Sequence, residues 1–582
     1  MEAEPSVTPG AASRDFQPSR WDVVAIPLVL SVVMLLALGA REMTGPFHVG
    51  EPLPISLDPA NLPGYALRTT VRMLIALAAS LVFSVSYATL AAKSRRAEQI
   101  LIPVLDVLQS VPVLGYISFT VTGFLALFPG SLLGAEMAAI FAIFTSQAWN
   151  MTFSMHQSLR AVPHDLHEAA AVFGLTSWQK FWRLEMPYAM PGLVWNAMMS
   201  MSGGWFFVVA SESISLGDEK IALPGIGSYI ALAIERRDLT AVGWAIATML
   251  LVLVCYDQLL FRPLVAWAER FKVEETPGET VPQSWILDLF RRARLLRFVG
   301  SPLALLLRLA RDLRLLGIYR PEAGLNEERQ PGVLTRMGDL LWYLLLGGVA
   351  LLASWRIYQF LAVQLTLSEI LHVLLLGLTT ALRVMVCILL AAIIWVPIGV
   401  HIGLRPRLAQ FFQPVAQFLA AFPANLLFPP AVIIILRYQL DPNVWLTPLM
   451  ILGTQWYLLF NVIAGASAFP QNLRDAAAEF HVRGWLWWRK VMMPSLAPYL
   501  LTGAITAAGG CWNASIVAEA VSWGDDRIGA FGLGAYIADA TLAGDFAKIA
   551  LGIGVMSLYV ALSNRLIWRP LYALAEKRAQ LR

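Results

Sequence analysis

Apolar runs dominate this chain, and most approach the ~20 residues that a helix needs to cross a bilayer. They fall near 24–40, 66–92, 100–127, 135–155, 192–212 and 241–263. A second set falls near 339–362, 368–403, 411–436, 445–466, 497–518 and 547–567. A segment in lipid must satisfy its own backbone hydrogen bonds, so helices are the default. Only 14% of the 582 residues are charged, against ~25% in a soluble domain. The sequence therefore predicts an all-α integral membrane fold of about twelve spans.

The two sets of runs are copies. Arg72 matches Arg383, Pro103 matches Pro414 and Pro112 matches Pro423 at one offset. After a small deletion, Trp149 matches Trp456, Glu168 matches Asp475, Pro187 matches Pro494, Glu212 matches Glu519 and Tyr229 matches Tyr536. A register held this long is the signature of duplication. An even number of spans per copy keeps both copies in one orientation, which gives parallel repeats about an axis along the membrane normal. The expected organisation is a tail at 1–23, a first repeat at 24–270, a linker at 271–336 and a second repeat at 337–582.

Basic residues set the sides. Arg20, Lys93, Arg95, Arg96, Arg405 and Arg407 fall at one end, with the loops that carry Lys180, Arg183, Arg483, Arg489 and Lys490. The opposite loops carry Asp218, Glu219, Asp525 and Asp526. The basic end is predicted to face the cytoplasm, with both chain termini. This asymmetry accounts for the net charge of +4 and calls for no nucleic acid. The linker carries Arg291, Arg292, Arg294, Arg297, Arg308, Arg311 and Arg314. That is too much charge for a span, and it reads as an amphipathic helix on the inner leaflet; docking of a regulator is the weaker alternative. Cys255, Cys387 and Cys511 sit in or beside apolar runs and read as packing residues.

Each copy contains a polar hairpin, expected at 163–187 and 470–494, with sequences "EAAAVFGLTSWQKFWRLEMPYAMP" and "DAAAEFHVRGWLWWRKVMMPSLAP". In the first, Pro163 suits a helix start and Gly174 a left-handed stop. Thr176 and Gln179 have capping-box spacing for a second short helix, which Pro187 would end. Ala169, Ala170 and Ala171 offer a small-residue surface that a partner could approach closely. "HDLHE" brings His164 and His167 near Glu168, but it lacks further ligands and reads as no metal site.

The two hairpins resemble the EAA loop of ABC-importer permeases. The later segments "GGWFFVVASESISLGDEKIALPGIGSYIA" and "GGCWNASIVAEAVSWGDDRIGAFGLGAYIADA" resemble the nitrate/sulfonate/bicarbonate branch in a duplicated form. The resemblance implies the type I importer permease fold in a bacterial inner membrane, and alternating-access transport of a small anion. It implies coupling surfaces at Glu168, Ala169, Ala170, Gly174 and Pro187, and at Asp475, Ala476, Ala477, His481 and Pro494. It also implies two separate nucleotide-binding ATPase subunits, with a periplasmic substrate-binding protein as an optional component. This chain lacks the G-x-x-x-x-G-K-[ST] phosphate loop, so ATP and Mg belong to those subunits and the chain itself is no enzyme. A ferric-iron permease is the alternative substrate class; a stand-alone channel or secondary transporter is the alternative mechanism. The sequence departs from the pattern at Met186 and Met493, where Leu is usual, at Asp475 for Glu and at His481 for Gly. Histidine takes a left-handed cap less cheaply than glycine, which predicts that the second hairpin turns differently, with Gly484 as its flexible point.

Polar groups inside spans are costly there and often functional. Candidate pathway residues are Gln147, Asn150, Asn196, Trp205, Gln455, Asn461, Trp512 and Asn513. Arg72 and Arg383 join them, because a guanidinium fork suits an oxyanion; the competing role is an ion pair with Glu212 or Glu519. Pro103, Pro112, Pro414 and Pro423 are expected to kink the third span of each copy. "GIGSY" and "GLGAY" lack a preceding βαβ strand and read as no dinucleotide site.

Overall fold

The computed structural model describes residues 19–41, 55–216, 219–271, 284–313 and 365–580, with single residues at 43 and 45 and some between 344 and 359. Most of the expected run 339–362, most of the tail, and linker residues 272–283 and 314–336 lie outside the described residues. Among those described, seven helices are long and apolar enough to cross a membrane, or up to ten if each bent pair is one span. Every other expected run falls on a helix or on a bent pair.

The first copy opens with α1 (Asp22–Arg41) and α2 (Leu62–Lys93). Its third span is α3 (Arg95–Ser110) followed by α4 (Val113–Leu127), bent by 91° at the break. Pro112 is the N-cap of α4, so the missing N–H falls where the ladder is already broken. Pro103 stays inside α3. The second copy repeats this between Pro406–Ala421 and Ala424–Arg437, bent by 80° around Pro423, with Pro414 inside the first helix. The kinks thus belong to Pro112 and Pro423, not to all four prolines.

α5 (Leu133–Arg160) packs centrally against α2, α4 and α8, which explains why it is the most polar of the expected spans. Next come α6 (His164–Val172), α7 (Ser177–Lys180) and α8 (Met186–Glu212). Pro187 does not stop the hairpin. A π turn at Phe181–Glu185 joins α7 to α8, and the proline sits in the first turn of α8, where its missing donor costs little. The second copy has the same π turn at Trp488–Met492.

Among the described residues, each copy departs from all-α at one place. β1 (Ser213–Leu216) pairs antiparallel with β2 (Glu219–Ala222), and β3 (Ala520–Trp523) with β4 (Asp526–Gly529). α9 (Ile226–Glu235), α10 (Leu239–Tyr256) and α11 (Arg262–Ala268) close the first copy. α12 (Trp285–Arg292) and α13 (Arg294–Asp312) belong to the linker. The second copy runs from the helix Leu367–Gly403 to Arg569–Gln580 in the same order. One apolar core runs through both copies.

The ends of the bundle are chemically distinct. At one, Lys93 pairs with Glu185 at 3.2 Å and Arg160 pairs with Glu98. At the other, Arg237 of the first copy pairs with Asp526 of the second at 3.0 Å, and the Gly524 N–H donates to the Ile234 carbonyl at 2.9 Å.

Candidate functional site: two hairpins, a cavity and an outer lock

The two hairpins turn alike. α6 ends with the Leu175 N–H donating to the Ala170 carbonyl at 3.1 Å and the Gly174 N–H to Ala171 at 2.9 Å; Gly174 has φ +64°. The second ends with Val482 N–H to Ala477 at 2.8 Å and His481 N–H to Ala478 at 3.1 Å, and His481 has φ +54°. Both are Schellman stops. The expectation that His481 forces a different turn is therefore overturned. Its ring Nδ1 lies 3.0 Å from the Glu479 carbonyl and 3.2 Å from that of Ala478, in reach of the helix-end acceptors. Gly484 is also left-handed, at φ +60°, but as an addition to the His481 turn. Val172 and Phe173 are exposed at the first tip, and Phe480 at the second. Glu168 pairs with His164 at 3.1 Å on the exposed side of α6. Ala170 and Ala477 are buried beneath. The predicted capping box is present: Thr176 accepts from the Gln179 N–H and Gln179 accepts from the Thr176 N–H.

Beneath the first hairpin, Glu185 lies 3.0 Å from Lys180 and 3.2 Å from Lys93. Lys180 and Glu185 are buried. Burial also pushes the nearby His167 imidazole below its ordinary pKa. Among the described residues, only the first hairpin meets the linker. Trp178 Nε1 donates to the Ala310 carbonyl at 2.8 Å, and Gln179 Nε2 to that of Asp312 at 3.0 Å. Arg183 lies 3.0 Å from the Asp312 carboxylate and holds it below the usual aspartate pKa. The contact is therefore kept at all pH above the ordinary aspartate value and lost only as pH falls below it.

A cavity of about 560 Å³ lies between the copies. Asn150, Asn196, Asn461, Trp512 and Asn513 line it, with Thr145, Ser146, Tyr457 and Trp195. It reaches Asp106, Asn564 and Trp568, toward the basic end. Asn513 Oδ1 also accepts the Val113 N–H at 2.8 Å, so a second-copy residue holds the break in the first copy's third span.

Five expected pathway residues lie elsewhere. Gln147 follows Ser146 by one position, and about 100° around the helix turns it away from the cavity. It is fully buried between α2 and α8, donating to the sulfurs of Met73 and Met201. Trp205 is buried edge-on against Tyr256. Gln455 accepts from Trp395 Nε1 at 2.9 Å. Arg72 and Arg383 are absent from the lining because carboxylates engage them.

Those carboxylates form a lock at the end of the bundle away from the hairpins, its outer end. Arg72 is fully buried, with Nε 2.5 Å and NH2 2.7 Å from Glu136 and NH1 2.6 Å from Glu212. A further bond runs from NH2 to the Pro224 carbonyl at 3.0 Å. Thr69 donates to Glu212 at 2.6 Å and accepts the Ile226 N–H, while the Gly227 N–H donates to Glu212 at 2.6 Å. The N-terminus of α9 thus points at a carboxylate, as its dipole favours. A Cβ at Gly225 would collide with the Glu212 carboxylate, and one at Gly227 with the Val209 carbonyl. This is what the "GIGSY" glycines are for: close approach, not a phosphate loop. The second copy repeats the device with Thr380, Glu519, Gly532 and Gly534. Arg383 meets Glu519 at 2.9 Å, and Asn443 at 3.1 Å stands where Glu136 stands in the first copy.

Sequence reasoning missed Glu136, Asn443, the two threonines' double role and the linker contact. The threonines and glycines recur in register, so duplication itself carried that signal. Glu136 was visible as the one acid in its apolar run; the linker contact left no sequence signal.

Comparison with known proteins falls on the same two copies. The family described as binding-protein-dependent transport system inner membrane component matches residues 83–261 and 395–569. The nitrate import permease protein NrtB of Leptolyngbya laminosa is 28% identical over 185 residues, 32% of this chain and 63% of that protein. The bicarbonate transport system permease protein CmpB of Synechocystis sp. is 27% identical over 164 residues, 28% of this chain and 55% of that protein. The glycine betaine/carnitine transport permease protein GbuB of Listeria monocytogenes is 32% identical over 179 residues, 30% of this chain and 56% of that protein. The chain thus spans between half and two-thirds of the length of these curated relatives. With both copies matched, the chain belongs to the family of inner-membrane permease components of binding-protein-dependent ABC importers, as a fused duplication.

Proposed function

We propose that this chain is the membrane subunit of an ATP-driven importer, with an ATPase subunit docked at each of the hairpins 163–187 and 470–494. ATP and Mg would be bound by those subunits. The observation that carries the reading is the matched pair of Schellman-capped hairpins at the basic end, each with an exposed aromatic tip. In this reading the basic end faces the cytoplasm, a substrate-binding protein delivers solute at the outer end, and movement of the hairpins opens the cavity alternately to each side. Reversing charge at Glu168 and Asp475 together should lower transport while membrane insertion stays intact. Unchanged transport in that double variant would defeat the assignment.

We infer a small oxyanion as the solute, of the class for which the nitrate and bicarbonate relatives are named. The cavity offers hydroxyls and carboxamides to its oxygens, including Thr145, Ser146, Asn150 and Asn461. A second reading is favoured by one observation: the described lining holds Trp149, Trp195, Trp512, Phe206 and Tyr457 but no Lys or Arg. Aromatic faces without a competing cation suit a quaternary ammonium group, and GbuB is named for glycine betaine and carnitine. ATPase activity of the reconstituted complex, stimulated by nitrate, bicarbonate, an alkanesulfonate or glycine betaine, decides between them. Stimulation by glycine betaine alone overturns the oxyanion assignment.

A further inference from the structure

Among the described residues, the linker helix α13 is bonded to the bundle at both of its ends. Its first N–H groups, at Leu295 and Leu296, donate to Asp22 Oδ1 of α1 at 3.0 and 3.3 Å. Its last carbonyls accept from Trp178 and Gln179 of the first hairpin, and Arg183 closes on Asp312. Both anchors lie at the basic end of the bundle. Between them run about 28 Å of helix, at ~1.5 Å per residue.

That stretch is strongly two-faced. At 3.6 residues per turn, Arg308 and Arg311 share one stripe and Arg294 lies at its edge. Val299, Leu306 and Leu309 fall on the other side, with Leu305 between them and Arg294, and all four are 57–66% exposed. In water such a row of apolar side chains is costly and marks an interaction surface. The first turn of α13 lies beside Asp22 at the start of α1, a span of mean hydropathy 2.7 whose Val23 and Val24 are exposed.

We propose that α13 docks on anionic phospholipid headgroups of the inner leaflet, and that this contact sets the position of the first coupling hairpin. The link to coupling rests on the importer reading above; the lipid contact does not. The leucine side enters the acyl boundary, and the arginine stripe stays at the headgroup phosphates, whose charge complements it. Anionic lipid thereby acts on the first hairpin through Ala310 and Asp312. The second hairpin makes no such contact among the described residues.

The test uses the full chain with its ATPase partners in vesicles of phosphatidylcholine, with or without phosphatidylglycerol. Cys387 and Cys511 are buried, so Leu306→Cys in a Cys255→Ser background carries one fluorophore. Doxyl groups on the lipid acyl chains should quench it, more strongly with phosphatidylglycerol. That increment should fall several-fold in the Arg294→Gln, Arg308→Gln, Arg311→Gln variant, since each arginine near an anionic surface is worth roughly fivefold in partitioning. Quenching by aqueous iodide instead of lipid overturns the proposal. Protection from both quenchers means that a protein surface covers α13, which also overturns it. Lipid quenching without dependence on phosphatidylglycerol rejects the headgroup assignment. Stimulation of ATPase activity by phosphatidylglycerol should be lost in Asp312→Asn while lipid quenching persists; stimulation that survives breaks the link to the hairpin. The quenching does not depend on transport, so its failure is distinct from failure of the importer reading.

Discussion

At its outer end the first copy buries Arg72 between Glu136 and Glu212, whereas the second holds Arg383 between Asn443 and Glu519. At the base of its hairpin the first copy pairs Lys93 and Lys180 with Glu185. The matching residues of the second are Leu404, Trp487 and Met492, the last fully buried. At the cavity wall, Asn196 donates to Ser154 in the first copy; in the second, a Cβ at Gly503 would sit 3.1 Å from Asn461. The backbone arrangement is kept and the chemistry is exchanged as a set. A duplicated fold fixes where groups meet, while each copy chooses ionic or apolar partners that satisfy one another.

The outer lock is where that comparison breaks most visibly. Arg72→Ala leaves two buried carboxylates without their cation, and breaking a buried pair this way costs about 3–5 kcal/mol. Arg383→Ala leaves one carboxylate, still held by Thr380 and the Gly534 N–H. The Arg383 side chain is already 14% exposed, so about 1–3 kcal/mol is expected. Thermal unfolding midpoints of the purified variants should therefore fall much further for Arg72→Ala. Equal losses would mean that Glu136 adds nothing. Glu136→Asn rebuilds the second copy's set and should cost less than Arg72→Ala does.

A smaller effect is expected under the first hairpin. Glu185→Met alone removes the carboxylate that faces the buried Lys180, at a cost of about 1–3 kcal/mol. Lys93 is 41% exposed and can turn to water, which keeps the loss near the lower end. Adding Lys93→Leu and Lys180→Trp recreates the apolar base of the second copy and should restore most of the stability. If the triple variant is no better than Glu185→Met, the two bases are not interchangeable solutions.

The sequence carried the architecture because periodicity and duplication are long-range patterns that many residues vote on. Apolar runs and matched prolines placed the spans, and Gly174 with Thr176 and Gln179 placed the hairpin turn. Side-chain direction was the weak point. Ser146 and Gln147 are neighbours in sequence and both polar, yet only Ser146 faces the cavity. In sequence, Arg72 reads either as an anion ligand or as a partner of Glu212; the pair with Glu212 is present, and Glu136, on another helix, goes unseen. The α13 contact was invisible for another reason: Trp178 and Gln179 both bond to backbone carbonyls, which every residue has.

The smallest expected effect concerns the hairpin turns, and it tests whether tertiary context or local propensity governs them. Gly174 and His481 occupy the same left-handed position, although only glycine adopts it without strain. A β-carbon there costs about 1–2 kcal/mol. Histidine is among the side chains that tolerate the region best, and the His481 ring lies against the Ala478 and Glu479 carbonyls. His481→Gly removes the strain, but it also removes that ring contact and frees the unfolded chain, a loss of about 0.4–1 kcal/mol. The net change should be within about 1 kcal/mol. His481→Ala keeps the strain and loses the ring, so it should be the less stable of the two. Gly174→His gains the strain, and its ring has the equivalent Ala171 and Val172 carbonyls to meet, so its cost should stay below that of Gly174→Val, whose β-branch crowds the turn. Unfolding midpoints measured in parallel for the four variants check the order. If Gly174→His is as damaging as Gly174→Val, the ring contact does not compensate at that position, and the two turns are alike in shape but not in how they are held.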